Sequence, residues 1–593
     1  MSNLIKSDIF YISLLYIIRL IVISVILLNF ERVVLAELLS EEEPFEIWEK
    51  STLQSLPKPE ELSVDATITN EDSSEFESNN VIESDFTYSI NDSFGLFDES
   101  NGGLKSNIWK DSELEDIHYL LIHSPEKLLN SELRNLKLKA LMTIATPPIK
   151  NDQSGKSFFE VKLDHFRDLG NYDAILQISE LIKNDEWSQE LTNSIINYHL
   201  INSDYKSVCK KETSSKILDE KIRLKMRAFC SAMSNNLPSI DLIISLIKEE
   251  SSYDDEFIYI LSSYLNDTEI NFEKIKQIDL LKLNLINNKN IDFSNYINAD
   301  SRVDLRMFYA LSSSTANSKK ISLIEDLVSQ GIIDINILSK AYAQYLLDNN
   351  IEKDKDYSSA ESNMEKRIIL YNQIRNTSNQ KDLVKLVFVF VNEMGNRNLL
   401  INSASLIYDK VRIIKPQQEF KNESPSICLI LLLNDDVSQC QSWLENLDLV
   451  KDAEDAKRKI KYYLSLKLEG ADFDQEDVEV LLFDRNILEN QKNMLAKHFE
   501  VINNSSLLHY WKSENEFNKI STVISNVKLS EYLKNISNNK EGEAILLMTI
   551  IHGNKSTELI DNYSLFLILE SFNNISPVHL NNFVFEYFAN NPI

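Results

Sequence analysis

At 593 residues, 43% of them hydrophobic, the chain is too long for one compact core yet apolar enough to bury most of its length. Its 91 acidic and 61 basic residues leave a net charge of −30. That balance disfavours nucleic acid and anionic membrane surfaces as partners, because phosphate contacts need Lys and Arg. With 10 glycines and 11 prolines the chain is also short of the tight turns and phosphate loops that an α/β enzyme of this length requires.

The first element is apolar. Residues 9–30 carry a single charged side chain, Arg19, and residues 20–30 form a mostly apolar run the length of a signal-peptide core. Lys6 and Arg19 lie on its N-terminal side, and Val34 and Ala36 stand at the spacing that a signal peptidase reads. Cleavage after Ala36 is therefore one expectation. The other is an uncleaved anchor, in which residues 9–30 cross the bilayer as a transmembrane helix and Arg19 snorkels. Both readings export the rest of the chain, which places it in the periplasm, free or anchored to the inner membrane.

Residues 37–112 follow as an acidic segment. From Glu37 to Asp116 there are 22 acidic and 4 basic residues, with Pro44, Pro57 and Pro59 and no sustained periodicity. This composition predicts a disordered linker. Phe45, Trp48, Phe86, Phe94, Phe97 and Trp109 interrupt it, either as short docking motifs for a partner or as anchors that lay the linker back on its own domain.

From Glu113 the apolar residues recur at three- and four-residue spacing, which predicts helices. Short polar breaks recur as well: Gly170, Ser203 and Asn236 repeat at intervals of 33 residues, with Tyr172 and Tyr205 in one register. That interval is close to the tetratricopeptide length of two antiparallel helices and a turn, although the Trp and the late Pro of that repeat are missing. The predicted fold is all-α, an α-solenoid of degenerate helical hairpins. Its expected parts are residues 113–290, residues 300–446 beyond a polar break at 287–304, and a helical region at 447–593.

The four cysteines form two sequence-local pairs, Cys209 with Cys230 and Cys428 with Cys440. In an exported chain this arrangement suggests disulfides; the competing reading is four buried thiols. No metal or cofactor is expected. His118 and His123 miss the i, i+4 spacing of a helical metal site, and no zinc spacing joins the cysteines. Gly155-Lys156-Ser157 is similar to the end of a phosphate-binding loop, but Lys150 stands where its first glycine belongs. Glu570-Ser571 matches the catalytic dipeptide of soluble lytic transglycosylases, which are exported α-superhelical enzymes. Too few residues follow it to complete such a domain.

Several stretches carry a family resemblance. Gly95-Leu96-Phe97 through Trp109, the segment from Ser131 to Pro147-Pro148, the Cys209 and Cys230 pair, Leu338 with Ala341 and Tyr342, and the Gly395 turn follow one order and spacing. In these, residues 95–446 resemble a family of large alphaproteobacterial envelope proteins labelled antifreeze glycopeptide polyproteins. The label reflects Ala/Pro-rich relatives, and this chain lacks that richness. The resemblance implies an export signal, a low-complexity linker and a helical-repeat body, and it supplies no active-site residue. The expected function is a non-enzymatic scaffold or adaptor that binds another protein of the cell envelope. The alternatives are a structural component of an envelope complex and a cell-wall-active enzyme.

Overall fold

This computed structural model describes residues 90–593 except 151–154, 184–186, 215–217, 235, 250–253, 314–316, 353–354, 451, 469–472, 474, 504–532, 534–539, 554–556, 558–559 and 561. The apolar N-terminal segment, the position after Ala36, Phe45, Trp48 and Phe86 lie outside the described residues. Every described element belongs to one compact unit, Ser84–Ile593.

The described elements are helices, with no strand among them, so the fold is all-α and solenoid-like. The first part runs through α1 (Leu114–His123), α2 (Ser131–Met142), α3 (Phe158–Asp168), α4 (Tyr172–Leu181), α5 (Gln189–Ile201), α6 (Tyr205–Ser214), α7 (Glu220–Met233), α8 (Leu237–Glu249), α9 (Asp255–Leu265) and α10 (Leu280–Asn288). It continues with α11 (Val303–Leu311), α12 (Ser318–Ser329), α13 (Ile335–Asp348), α14 (Asn363–Asn376), α15 (Gln380–Gly395), α16 (Leu400–Ser403), α17 (Ser405–Val411), α18 (Ser424–Leu433) and α19 (Val437–Leu447). The last part comprises α20 (Glu454–Lys467), α21 (Gln475–Phe483), α22 (Glu489–Asn503), α23 (Glu541–His552), α24 (Asn562–Ile575) and α25 (Pro577–Asn590). No described helix is long and apolar enough to cross a membrane.

The helix ends show how a chain poor in glycine turns so often. Asn130, Asn171, Ser188, Asp254 and Asp279 each accept a backbone N–H bond as N-caps of the helices that follow them. At the other end the left-handed turn residue is Gly170 in one hairpin but Ser203, Asp267, Asn290, Asn350 or Asn398 in others. Asn and Asp tolerate this conformation better than other side chains, because their short polar group bonds locally. The repeat register is slightly different from the sequence reading. Asn171 donates to Phe166 O, Asp204 to His199 O and Asn236 to Ser231 O, the closing bond of a Schellman turn. Asn236 thus corresponds to Asn171 and Asp204, one position beyond Gly170 and Ser203.

The acidic linker ends earlier than its composition suggests. Residues 94–113 lie on the body, where Leu96 N donates to Met142 O at 2.6 Å, Ile144 N to Phe97 O at 2.7 Å and Ile149 N to Ser112 O at 2.9 Å. Trp109 is 1% exposed. Its ring occupies the place that a Cβ on Gly542 would need, 2.3 Å away, so α23 can lie on Trp109 only with a glycine there. Phe94 packs on Phe159, and the buried Lys162 donates to Phe94 O. These aromatics are anchors on their own domain.

The boundaries expected at 290–300 and 446–447 are not breaks either. One apolar cluster runs from Ile108 to Ala589. α5 packs against both α10 and α11, and α18 against α19 and α20. The chain also returns to its start: α23 packs on α1 and α2, and α25 packs on α2, α15, α16, α20, α22 and α24. Along α25, Leu580 and the whole run Phe583, Val584, Phe585, Glu586, Tyr587, Phe588, Ala589 and Asn590 are buried. Gly395, read as a turn residue, is in fact a contact residue. A Cβ there would stand 2.7 Å from Asn590 O, while the left-handed turn falls on Asn398.

One charged cluster holds this closure, and a second ties neighbouring helices in the middle of the body. Glu586 on α25 accepts from Ser131 Oγ and Glu132 N, both at 2.8 Å, and from Ser131 N, so it caps α2 from 455 residues away. Beside it Glu132 pairs with His579. Around α12, buried Glu325 receives Arg367 at 2.6 and 2.9 Å and the Tyr342 hydroxyl at 2.6 Å, joining α12, α13 and α14.

Burial raises the Glu586 carboxyl from 4.5 to about 7, against the three α2 donors and Arg134. Between those values the folded state keeps a proton that the unfolded chain has released, so stability falls as pH rises through that window. The expected loss is about 3 kcal/mol at most, and Glu586→Gln should remove it. Urea unfolding at pH 5 and pH 7.5 measures this, and identical pH slopes in both proteins would refute the assignment. Glu325→Ala strands the Arg367 guanidinium and should lower unfolding free energy by about 3–5 kcal/mol, read from denaturant midpoints.

Candidate binding groove

A cavity of 490 Å³ opens between the ends of α3, α5, α7, α10 and α11. α5 forms its floor. The Ser188 cap starts that helix, Leu191 and Ile195 face the core, and Ile196, Asn197 and Leu200 turn toward the cavity. α7 adds Ile222 and Met226, and the loop after α1 adds Glu126 at the rim.

Charge is concentrated at the helix ends. Asp304, 1% exposed at the start of α11, receives Arg302 Nε at 3.2 Å, Arg302 Nη2, and the Leu305 N–H at 2.9 Å. Burial opposes the Arg302 charge, but the Asp304 carboxylate, with Tyr172 and Asp279 behind it, holds the guanidinium above its ordinary value. Arg167, at the end of α3, is engaged by Asp164 at 2.6 Å. Burial pushes the neighbouring Asp168 carboxyl up, and Asp164 and Glu126 add to that effect against Arg167 and Arg302. Both arginines are thus committed to partners, Arg167 to Asp168 at 3.8 Å as well, and four carboxylates, Glu126, Asp168, Asp279 and Asp304, outnumber them in the lining. The groove is apolar at its floor and acidic at its rim.

Tyr172 and Tyr205 do not form a binding face. Tyr172 is 2% exposed, with its hydroxyl held above its ordinary value by burial and then by the Asp304 carboxylate. Tyr205 packs edge-on against Phe229 with ring centroids 5.6 Å apart. Repeat-defining tyrosines fill the space between helices here, as knobs do in any helix stack.

No family model, curated protein or solved structure matches the chain.

The remaining sequence candidates take structural positions. Ser157 caps α3 in a capping box with Glu160, and Lys156 pairs with Asp164 at 2.6 Å. His123 Nδ1 lies 2.8 Å from Tyr119 O. Glu570 and Ser571 sit within α24, and Ser571 is buried. Among the described residues no cluster of His, Cys, Asp and Glu is arranged to hold a metal ion. Cys209 and Cys230 are bonded, tying α6 to α7. Cys428 and Cys440, expected as a second bond, carry free thiols. Both are sealed in the core between α18 and α19, and the Cys428 thiol donates to Cys440 O at 3.7 Å. Desolvation pushes the Cys428 thiol well up, so the thiolate that disulfide formation needs is suppressed.

Sequence reasoning missed the groove residues because they come from six separate segments between residues 126 and 304. The one available signal was Arg302 and Asp304, an opposite-charge pair two residues apart. They lie in the polar break that reads from sequence as a domain boundary.

The cysteines give a direct check. Iodoacetamide added to the native protein should leave all four unmodified. In urea without reductant it should label Cys428 and Cys440 alone, as peptide mass mapping reports. Reduction of the Cys209–Cys230 bond, which closes a loop of 21 residues, should lower stability by about 3 kcal/mol.

Proposed function

We propose that this chain is an envelope scaffold that takes a basic, partly apolar segment of another protein into the groove between α3, α5, α7 and α11. The observation that supports this reading is the distribution of charge in the cavity. Its two arginines are each held by a carboxylate and outnumbered by Glu126, Asp168, Asp279 and Asp304, so negative charge dominates the potential at the mouth. A Lys- or Arg-bearing segment gains Coulomb attraction there and covers the half-buried Ile222 and Leu281. Helical solenoids present extended surfaces of this kind, which is an argument from fold analogy.

The same reading places the protein in the periplasm, exported or held at the inner membrane by residues 9–30. It is supported by the sequence pattern of that segment. A second reading, a structural component without a discrete ligand, is favoured for the C-terminal half. There α25 itself fills the space between α2, α15 and α20 that a solenoid would otherwise offer to a partner.

A photo-crosslinking amino acid at Asn193, on the groove wall, tests the adaptor reading in cells expressing the full chain at native level. One or two envelope proteins should crosslink through a Lys- or Arg-rich segment. The doubly charge-reversed variant Glu126→Lys, Asp168→Lys should lose at least about tenfold of that signal, since a reversed rim charge costs on the order of 1–2 kcal/mol. Absence of any crosslinked partner, or a signal indifferent to the reversal, would count against the groove.

A further inference from the structure

A second cavity, 360 Å³, lies on the other side of Glu126, Arg167 and Asp168, and its wall holds an arrangement the scaffold reading does not use. Ser124, the residue that ends α1, lines this cavity and is 8% exposed. Lys137, on α2, reaches it from inside the protein with Nζ 2.6 Å from Ser124 Oγ. On its far side Ser124 Oγ is 2.9 Å from Thr549 Oγ1 of α23, whose hydrogen goes to Leu546 O at 2.6 Å. His165, on α3, lines the same cavity, is 8% exposed, and its Nε2 has no hydrogen-bond partner among the described residues.

The lysine is the informative member. Its side chain is fully buried, and among the described residues its hydrogen-bond partner is Ser124 alone, with no carboxylate beside it. Buried lysines are costly and are ordinarily paired with an acid. Here burial alone pushes the amine down to about 7. The neighbouring His165 is held well below its ordinary value, first by burial and then by Lys137, so it is neutral when Lys137 titrates. A Met at position 137 would fill this space without that cost. An amine kept deprotonatable against a hydroxyl in a cavity wall is the arrangement that activates a serine.

We propose that Ser124 and Lys137 form a nucleophile–base dyad that hydrolyses small esters with a short apolar acyl group. The Ser124 hydroxyl hydrogen turns from Thr549 Oγ1 to Nζ once Lys137 is neutral, and Lys137 takes this proton as Oγ bonds to the ester carbonyl carbon. The carbonyl oxygen carries the negative charge of the intermediate. As the intermediate collapses, the ester C–O bond breaks and the departing alkoxide takes the proton from the Lys137 ammonium. Water then attacks the acyl-serine with Lys137 again as base, releasing the carboxylic acid and restoring Ser124. The wall formed by Leu121, Ile122 and Val161 suits the acyl chain, and 360 Å³ suits a small ligand. This activity is independent of the groove, which shares only the rim residues Glu126, Arg167 and Asp168.

The full chain is treated with a fluorophosphonate probe and with p-nitrophenyl butyrate across pH 6–9. A phosphonyl adduct on Ser124 is expected by peptide mass mapping, at a rate that rises with pH through a midpoint near 7 as Lys137 loses its proton. The groups packed around that amine are His165 from α3, Ser124 from the end of α1 and Thr549 from α23. Ser124→Ala should abolish the adduct. Lys137→Met should slow both labelling and ester hydrolysis by about 100-fold or more while its melting temperature stays at or above that of the parent. Because the adduct is mapped on the unaltered chain, the result does not depend on any variant folding. A folded parent protein that leaves Ser124 unmodified overturns the proposal. So does a folded Lys137→Met protein labelled at the parental rate.

Discussion

A helix that is buried on every side needs neighbours all the way round, and the second half of α25 is such a helix. The eight consecutive residues from Phe583 to Asn590 point in every direction around its axis and all of them are buried. Each large apolar side chain among them contributes about 1.5–3 kcal/mol when taken out of water. The partners α2, α15, α16, α20, α22 and α24 come from both ends of the body, and this one element therefore turns an open stack into a closed one. Gly542 against Trp109 and Gly395 against Asn590 are consequences of the same closure, since both are places where backbone must approach within reach of a missing Cβ.

Closure has an electrostatic component as well as an apolar one. The N-terminus of α2 exposes unsatisfied N–H groups to the interior, and Glu586 meets them from the far end of the sequence. A carboxylate at a helix N-terminus is favoured by the dipole, but one buried this deeply is opposed by desolvation. The two effects pull the same group in opposite directions, and desolvation wins. Lys137 on the same helix obeys the same rule with the opposite sign of charge. α2 thus carries two titratable contacts, one toward α25 and one toward α1 and α23, and both respond to pH in the neutral range.

The two cavities differ in what surrounds them. The groove at Asp304 is walled by ion pairs that are already satisfied, and it offers surplus negative charge to something outside. The pocket at Ser124 holds an amine and an imidazole nitrogen left without acidic partners, which is an arrangement suited to moving a proton. A surface that recognises and a cavity that reacts can share a rim without sharing a mechanism, and the rim residues Glu126, Arg167 and Asp168 are where a bound partner would be felt by both.

The amino-acid sequence by itself determined that the body is helical, because apolar spacing and the shortage of glycine and proline act within a few residues of each other. It also carried the turn chemistry at Ser203, which stands in for glycine, and the locality of the Cys209 and Cys230 pair, while it misplaced at Gly395 the turn that falls on Asn398. The ordered end of the acidic segment was not legible there, since Trp109 is buried by Gly542, more than 400 residues away, and net charge says nothing about such a contact. Neither was the state of Cys428 and Cys440, which depends on how tightly α18 and α19 exclude water. The groove and the Ser124 pocket were decided by tertiary structure alone. Their side chains are scattered along the chain, and only the packing of α2, α3, α5 and α11 brings them within bonding distance. Sequence periodicity records which face of a helix is buried; it does not record which other helix buries it.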